Sequence, residues 1–339
     1  MNLCENRRIL VKYPFGYKIT RKYTLISIEN CPLRIPVITG PTASGKSAIA
    51  LALAEEMGWD IISCDSRQIY REMDIGTAKA TPEEQSRVHH WLLDIIDPSE
   101  AYSLYRYFED ASDILRKLKA QNRTGLVCGG TGLYLRGLLE GVGPQEESNL
   151  QLRDDLTLRA HRDGCLSLHN ELRSHDPASA EKIHSNDLQR IVRALSVFYQ
   201  TGIPISVLRT AGKKQTEFEF VVIKMTSDRD KLYEKINDRV DRMVENGLYE
   251  EFRDLVKRGF GEASPGMHCV GYREFFAVEK NECTFKDAVE LIKRNTRRFA
   301  KRQITWFSHQ QFGIEIDLNE VGVNWKEKLK KFFLDNTSR

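Results

Sequence analysis

Apolar residues fall into short uninterrupted runs, separated by longer stretches in which they recur at helical spacing. Ile35-Pro-Val-Ile-Thr39 shows no polar alternation, as in a strand covered on both faces, and Lys46 to Met57 is then rich in Ala, Leu and Glu, as a helix should be. Asp60-Ile-Ile-Ser-Cys64 repeats the short run, and Trp91-Leu-Leu-Asp-Ile-Ile96 reads as another. Gly125-Leu-Val-Cys128 is a further one, after a helix-like stretch from Leu104 to Ala120. Such alternation predicts an α/β fold with a parallel sheet flanked by helices.

The pattern changes after Gly141-Val-Gly-Pro144: residues 150 to 201 hold helical segments and no good strand. Asp176-Pro-Ala-Ser-Ala180 has the form of a helix start, with Asp as cap and Pro at the first helical position. Phe218 to Met225 returns to strand character, and the remainder is expected to be largely helical. The expected organisation is an N-terminal extension (1–33), a core built from 34–142 and 210–339, and a small all-helical insertion domain at 143–209.

At 339 residues the chain can bury one large core or two ordinary ones. No apolar run approaches the roughly 18 residues of a membrane span, and residues 1–33 lack the apolar segment of a signal peptide, so a cytoplasmic protein with no membrane partner is expected. The seven cysteines are scattered with no Cys-x-x-Cys pair, which argues against a zinc or dithiol motif. A net charge of +3 does not announce nucleic-acid binding, so local clusters must carry that case.

Gly40, Pro41, Thr42, Ala43, Ser44, Gly45, Lys46 and Ser47 match G-x-x-x-x-G-K-[ST] directly after the first run. In such a P-loop, backbone N–H groups cradle phosphate oxygens, Lys46 neutralises them, and the Ser47 hydroxyl can hold Mg2+. The helix that follows adds its positive end. Kinases, ATPases and nucleotide switches share the loop. No Asn-Lys-x-Asp base-reading motif occurs, and Asp60 to Asp65 is only an imperfect Walker-B strand. A small-molecule P-loop kinase and a nucleotide-dependent RNA-binding switch remain open on these residues alone.

Asp65-Ser66-Arg67-Gln68-Ile69-Tyr70 follows the second run, and Gly129-Gly130-Thr131-Gly132-Leu133-Tyr134 follows the last of those before the insertion. Both belong at the carboxyl edge of a parallel sheet, beside the P-loop. Each residue also has an ordinary structural use: Asp65 as a helix cap, Gln68 at a helix start, Thr131 in a strand-to-helix turn. Lys293, Arg294, Arg297, Arg298, Lys301 and Arg302 form a basic helix face, either solvated or in contact with phosphates. Phe299, Trp306 and Phe307 are expected in the core. His89 and His90 lack further ligands at metal-binding spacing.

From about residue 36 to 310 the sequence resembles the tRNA dimethylallyltransferases of bacterial type. Besides the P-loop and the two edge segments, the resemblance rests on Met73-Asp-Ile-Gly-Thr-Ala-Lys79, His89-His90, Asp97-Pro-Ser-Glu100, Asn186-Asp-Leu-Gln-Arg190, Gly271-Tyr-Arg-Glu274 and Ala300-Lys-Arg-Gln-Ile-Thr-Trp-Phe307. It implies a P-loop NTPase-like fold. The implied reaction transfers the dimethylallyl group of dimethylallyl diphosphate to N6 of the adenosine beside the tRNA anticodon. The P-loop then holds the diphosphate leaving group, with Lys46 and Mg2+ at Ser47 stabilising it. Asp65 is the implied base, Thr131 is expected to hydrogen-bond near Asp65 or the reacting amine, and Arg229 is the implied extra cation on the diphosphate. Implied contacts to the tRNA anticodon stem-loop are Asp65, Ser66, Arg67, Gln68, Thr131, Arg153, Gln189, Arg190, Ile191, Val192 and Arg193. Gln68 suits an adenine edge, because its amide both donates and accepts. Nothing demands more than a monomer. Within the same fold, an adenylate isopentenyltransferase acting on free nucleotide is the nearest alternative.

Overall fold

The computed structural model describes residues 34–143, 149–210, 212, 214–310, 313–317 and 324–337. The expected extension at 1–33 lies outside them. The first part of the chain runs β1 (Arg34–Thr39), α1 (Lys46–Met57), β2 (Asp60–Ser63), α2 (Pro82–Arg87), β3 (His90–Trp91), α3 (Leu104–Ala120), β4 (Gly125–Gly129) and α4 (Gly132–Glu140). Five helices follow: α5 (Leu150–Asp163), α6 (Cys165–His175), α7 (Pro177–Lys182), α8 (Leu188–Thr201) and α9 (Ile205–Thr210). The chain then forms β5 (Glu219–Thr226), α10 (Arg229–Glu245), α11 (Leu248–Lys257), α12 (Phe276–Glu279), α13 (Phe285–Ser308), β6 (Ile314–Asp317) and α14 (Trp325–Thr337).

The strands make one sheet in the order β3-β2-β4-β1-β5-β6, with every neighbouring pair parallel. Parallel strands covered on both faces need apolar residues on both, which is why β1, β2 and β4 read as unbroken runs. Ile35, Ile38, Ile62, Leu126 and Val127 are all fully buried. One core cluster joins the sheet to α1 through Ile49 and Leu53 and to α14 through Leu329 and Phe333. No helix among the described residues is long and apolar enough to cross a membrane.

The chain divides into two compact units, one running from Glu140 to Thr216 and the other made of the segments on either side. The insertion expected at 143–209 is thus wider at both ends. Val142 and Lys214 explain this, since each donates its N–H to the other's carbonyl and they close the unit as an antiparallel bridge. Inside it, Leu156, Leu168, Leu172, Ile191 and Leu195 form the core. Asp176 caps α7 by accepting from Ser179 N–H at 3.0 Å, with Pro177 in the first turn, and also accepts from Ser206 N–H.

Two expectations differ from the structure. The run Trp91 to Ile96 leaves the sheet after Trp91, because Leu92 and Asp94 adopt φ of +62° and +55°. That turn carries the Asp94 carboxylate to the buried ammonium of Lys79, a tertiary pairing invisible in the local pattern. Conversely, β6 was not expected in the helical C-terminal part: it is four residues long and buries only Ile314 and Ile316, too little to stand out.

Candidate active site

β2, β4 and β1 are consecutive neighbours, so the loops leaving their carboxyl ends meet at one edge of the sheet. Thr39 is in register with Gly129, and Ser63 with Cys128. The first loop is the P-loop. Gly45 takes φ +84° at the start of α1 and supplies no side-chain cap, which leaves the first N–H groups of the helix available to an anion. Ser44 Oγ is buried and has no hydrogen-bond partner among the described residues. Lys46 is buried too and donates to the Pro41 carbonyl at 3.3 Å. Burial lowers its pKa, Cys128 and Asp65 act in the opposite sense, and Arg239 adds to the lowering. A buried cation, an unpaired hydroxyl and free helix N–H groups together favour a bound anion.

Facing the loop is a cavity of about 220 Å³, lined by Lys46 and Ser47 on one side and by Lys235, Arg239 and Arg242 of α10 on the other. Among the described residues no carboxylate lines it. Arg239 reaches Thr42 Oγ1 at 3.4 Å; burial lowers its pKa, Asp65 opposes that, and Arg242 reinforces it. The arginine expected here was Arg229. That residue instead sits exposed in the first turn of α10, where it bonds the Tyr233 hydroxyl at 3.2 Å and lies over its ring. The α10 arginine that bonds the P-loop is instead Arg239, nearly three helical turns further on. Its signal was present as basic residues spaced along one helix, but without the fold nothing pointed that face at the loop.

Asp65 follows β2 half-buried and accepts the Arg67 N–H at 2.9 Å, which closes a turn; no helix begins there, so it is not the helix cap that was the alternative use of this residue. Its charge opposes the lowering of the Lys46 and Arg239 pKa values by burial. Thr131 bonds to the neighbour of Asp65 and not to its carboxylate. The Thr131 hydroxyl accepts the Ser66 N–H at 3.0 Å, and its own N–H donates to the Cys64 carbonyl at 3.1 Å. Such close approach explains the glycines before it. A Cβ on Gly129 would stand 2.1 Å from the Cys64 carbonyl oxygen, and one on Gly130 2.6 Å from Gln303 Nε2.

Gln68, expected to face an adenine, has its amide engaged inside the protein. Its Oε1 accepts from the Ser63 hydroxyl at 3.2 Å, and its Nε2 donates to the Thr77 and Ala78 carbonyls. Arg67 Nη1 donates to the Pro265 carbonyl at 3.1 Å. The Met73 to Lys79 segment proves to be the brace under these residues. Lys79 donates to the Tyr70 carbonyl at 2.8 Å and pairs with Asp74 and Asp94, while Glu251 accepts the N–H groups of Asp74, Ile75 and Gly76. The Tyr272 hydroxyl also donates to Glu251, which ties the Gly271 to Glu274 motif into the same brace.

In the helical unit, Gln189 and Arg190 are exposed on α8, Arg193 is half-buried, and Arg190 pairs with Asp187 at 3.3 Å. Arg153 is half-buried on α5. Ile191 and Val192 do not join the exposed face: they are 0% and 3% exposed, because the helical period turns them into the unit's core. On α13, Arg294, Arg298, Lys301 and Arg302 are exposed, whereas Lys293 pairs with Asp241 and Arg297 bonds Asn237. Phe307 is buried as expected, but Phe299 is 40% exposed beneath the Arg302 guanidinium. Trp306 is half-buried against Gly132, and with Lys301, Arg302 and His309 it lines a hollow of about 420 Å³. His90 Nδ1 lies 2.7 Å from the Val88 carbonyl, and among the described residues no group of three or more His, Cys, Asp or Glu could hold a metal.

Comparison with known proteins identifies the family. The family model described as IPP transferase matches residues 68–310, and one described as isopentenyl transferase matches 33–99. The tRNA dimethylallyltransferase of Thermotoga maritima is 42% identical over 90% of this chain and 100% of its own length. That of Symbiobacterium thermophilum is 44% identical over 84% and 90%. Among solved structures, the tRNA isopentenylpyrophosphate transferase of Bacillus halodurans superposes with a TM-score of 0.64 at 33% identity, over 90% of this chain and 96% of its own. A eukaryotic dimethylallyltransferase acting on tRNA reaches a TM-score of 0.75 at 25% identity, over 90% and 80%. With a family model covering most of the chain and relatives above 40% identity along nearly all of it, the chain belongs to the IPP transferase family.

Proposed function

We propose that this enzyme transfers the dimethylallyl group of dimethylallyl diphosphate to N6 of the adenosine beside the anticodon of tRNA, releasing diphosphate. The observation that carries the proposal is a P-loop cavity lined by four cations and, among the described residues, no carboxylate, with Asp65 at the carboxyl end of β2, two strands from β1 in the same sheet. An exocyclic adenine amine is a weak nucleophile, because its lone pair is delocalised into the ring. A carboxylate that takes its proton assists attack, and Asp65 is that base. As the N6–C bond forms and the allylic C–O bond breaks, positive charge develops on the allylic carbon and negative charge on the departing diphosphate. Lys46, Arg239 and the P-loop N–H groups meet the negative charge. Thr131 fixes the segment that carries Asp65 through Ser66.

A divalent metal suits the donor set only in part. Ser47 is exposed at the cavity mouth and offers one hard oxygen, so substrate phosphate oxygens and water must complete the shell, as is usual for Mg2+. Bound there, Mg2+ would offset diphosphate charge. The target base must leave its stack to reach Asp65. For the tRNA we assign contacts to Asp65, Ser66, Arg67 and Thr131 at the sheet edge and to Arg153, Gln189, Arg190 and Arg193 on the helical unit. Gln68 then acts on the base through the position of its loop.

Incubating the protein with labelled dimethylallyl diphosphate and an unmodified anticodon stem-loop tests the proposal. Label is expected on the RNA and not on free AMP. Transfer to AMP alone would identify an adenylate isopentenyltransferase, and ATP turnover without prenyl transfer would identify a kinase or switch.

A further inference from the structure

We infer that Gln303, on α13, is a positioning residue that locks the diphosphate cradle to the loop bearing Thr131, and so sets the leaving group against the Asp65 side of the site. Gln303 is 8% exposed. Its Oε1 accepts the Thr42 N–H of the P-loop at 2.8 Å, and its Nε2 donates to the Gly130 carbonyl at 2.9 Å. The orientation of the amide is unambiguous, because a backbone N–H only donates and a carbonyl only accepts. The two partners lie on the loops that leave β1 and β4, so one side chain bridges neighbouring strand ends beyond the last residues of their ladder. Gly130 has no room for a side chain under this bridge.

The bridge continues into the acceptor side of the site. Gly130 precedes Thr131, whose N–H donates to Cys64 and whose hydroxyl accepts from Ser66, on either side of Asp65. A hydrogen-bonded path thus runs from the P-loop through Gln303 to both neighbours of the base. Its length fixes where the allylic carbon, anchored by its diphosphate, lies relative to the amine that Asp65 deprotonates. Gln303 touches neither reactant; its role rests on the transfer reaction proposed above.

Two variants separate positioning from simple support. Gln303→Met keeps the volume and removes both hydrogen bonds. Single-turnover transfer is expected to fall about 10- to 100-fold, the scale of a small misalignment. Affinity for inorganic pyrophosphate with Mg2+, and for the anticodon stem-loop, should stay within about threefold of wild type, since neither contact is lost. Gln303→Glu adds a pH signature. Its protonated carboxyl can accept from Thr42 and donate to Gly130, as the amide does, whereas the carboxylate opposes the Gly130 carbonyl. Burial and the Gly130 carbonyl raise the pKa of such a carboxyl, while the Lys46 side chain beside Gly130 and Arg239, bonded to Thr42, lower it; transfer by this variant should fall as pH rises through the resulting value, with no matching fall for wild type.

Transfer by Gln303→Met at the wild-type rate overturns the assignment. So does loss of pyrophosphate binding in parallel with transfer, which would mean a collapsed cradle, and so does a Gln303→Glu profile that follows wild type. Failure of both variants to fold would make Gln303 a brace only. If the wild-type protein itself transfers nothing to RNA, the proposed reaction falls and this role falls with it; wild-type transfer with any of the other adverse results removes the role alone.

Discussion

Lys46 is a cation held where burial disfavours its charge, with a pKa below the ordinary 10.5. The unfolded chain therefore binds this proton more tightly than the folded one. The resulting penalty is fully present below the lowered value and disappears as pH rises to 10.5. Lys46→Met should accordingly raise the denaturant midpoint of the ligand-free protein near neutral pH, with the gap to wild type closing towards pH 10.5. Pyrophosphate should stabilise the wild type more than the variant, which keeps the α10 cations but not Lys46. Asp65 and the two arginines of α10 make a second residue-scale test. Asp65→Ala should largely abolish transfer while leaving RNA binding nearly intact, and equal loss of both would remove Asp65 as the base. Arg239→Gln should cost on the order of 10²–10³ in transfer rate, as for other removed leaving-group contacts, whereas Arg229→Gln should stay within about threefold. A larger loss at Arg229 would restore the position expected from the family resemblance. Sequence alone could propose an arginine near the start of this helix, but only packing shows which turn of α10 faces the P-loop.

At the scale of elements, α1 and α3 have the limits read from composition and spacing, since each carries its own helix-forming residues and α3 its own Ser103 cap. The loops were legible as motifs, yet their roles were not. Met73 to Lys79 could pass for a substrate-binding segment until Lys79, Glu251 and Tyr272 show it to be a brace made of contacts far apart in sequence. Similarly, the basic stripe of α13 divides only in three dimensions: Lys293 and Arg297 are taken up by α10, while Arg298 and Lys301 face outward. Replacing Arg298 and Lys301 with Gln should weaken anticodon stem-loop binding and reduce the salt dependence of log K by about one per lost phosphate contact. Transfer at saturating RNA should be unchanged. A salt slope identical to wild type would assign these cations to solvation.

For the whole molecule, ligand binding should report on the cradle directly. At a pyrophosphate concentration of 100 times its Kd, the folded state should gain about 2.7 kcal/mol, measurable by denaturation with and without the anion. No gain would show that the cavity opposite α10 is not an anion site. A parallel sheet was readable from the chain because it follows from local signals: unbroken apolar runs separated by helical periodicity. The P-loop was readable for the same reason, since strand, loop glycines, Lys46 and helix are contiguous. Sheet order was not readable. Only the insertion of β4 between β2 and β1 makes their three loops neighbours, and hydrogen bonding between strands distant in the chain decides that order. The sequence by itself therefore determined that a phosphate cradle exists and which residue types border it. Tertiary packing decided that Arg239 faces it, that Gln303 joins it to Thr131, and that Ile191 and Val192 point inward, because each depends on which helix face meets which strand end.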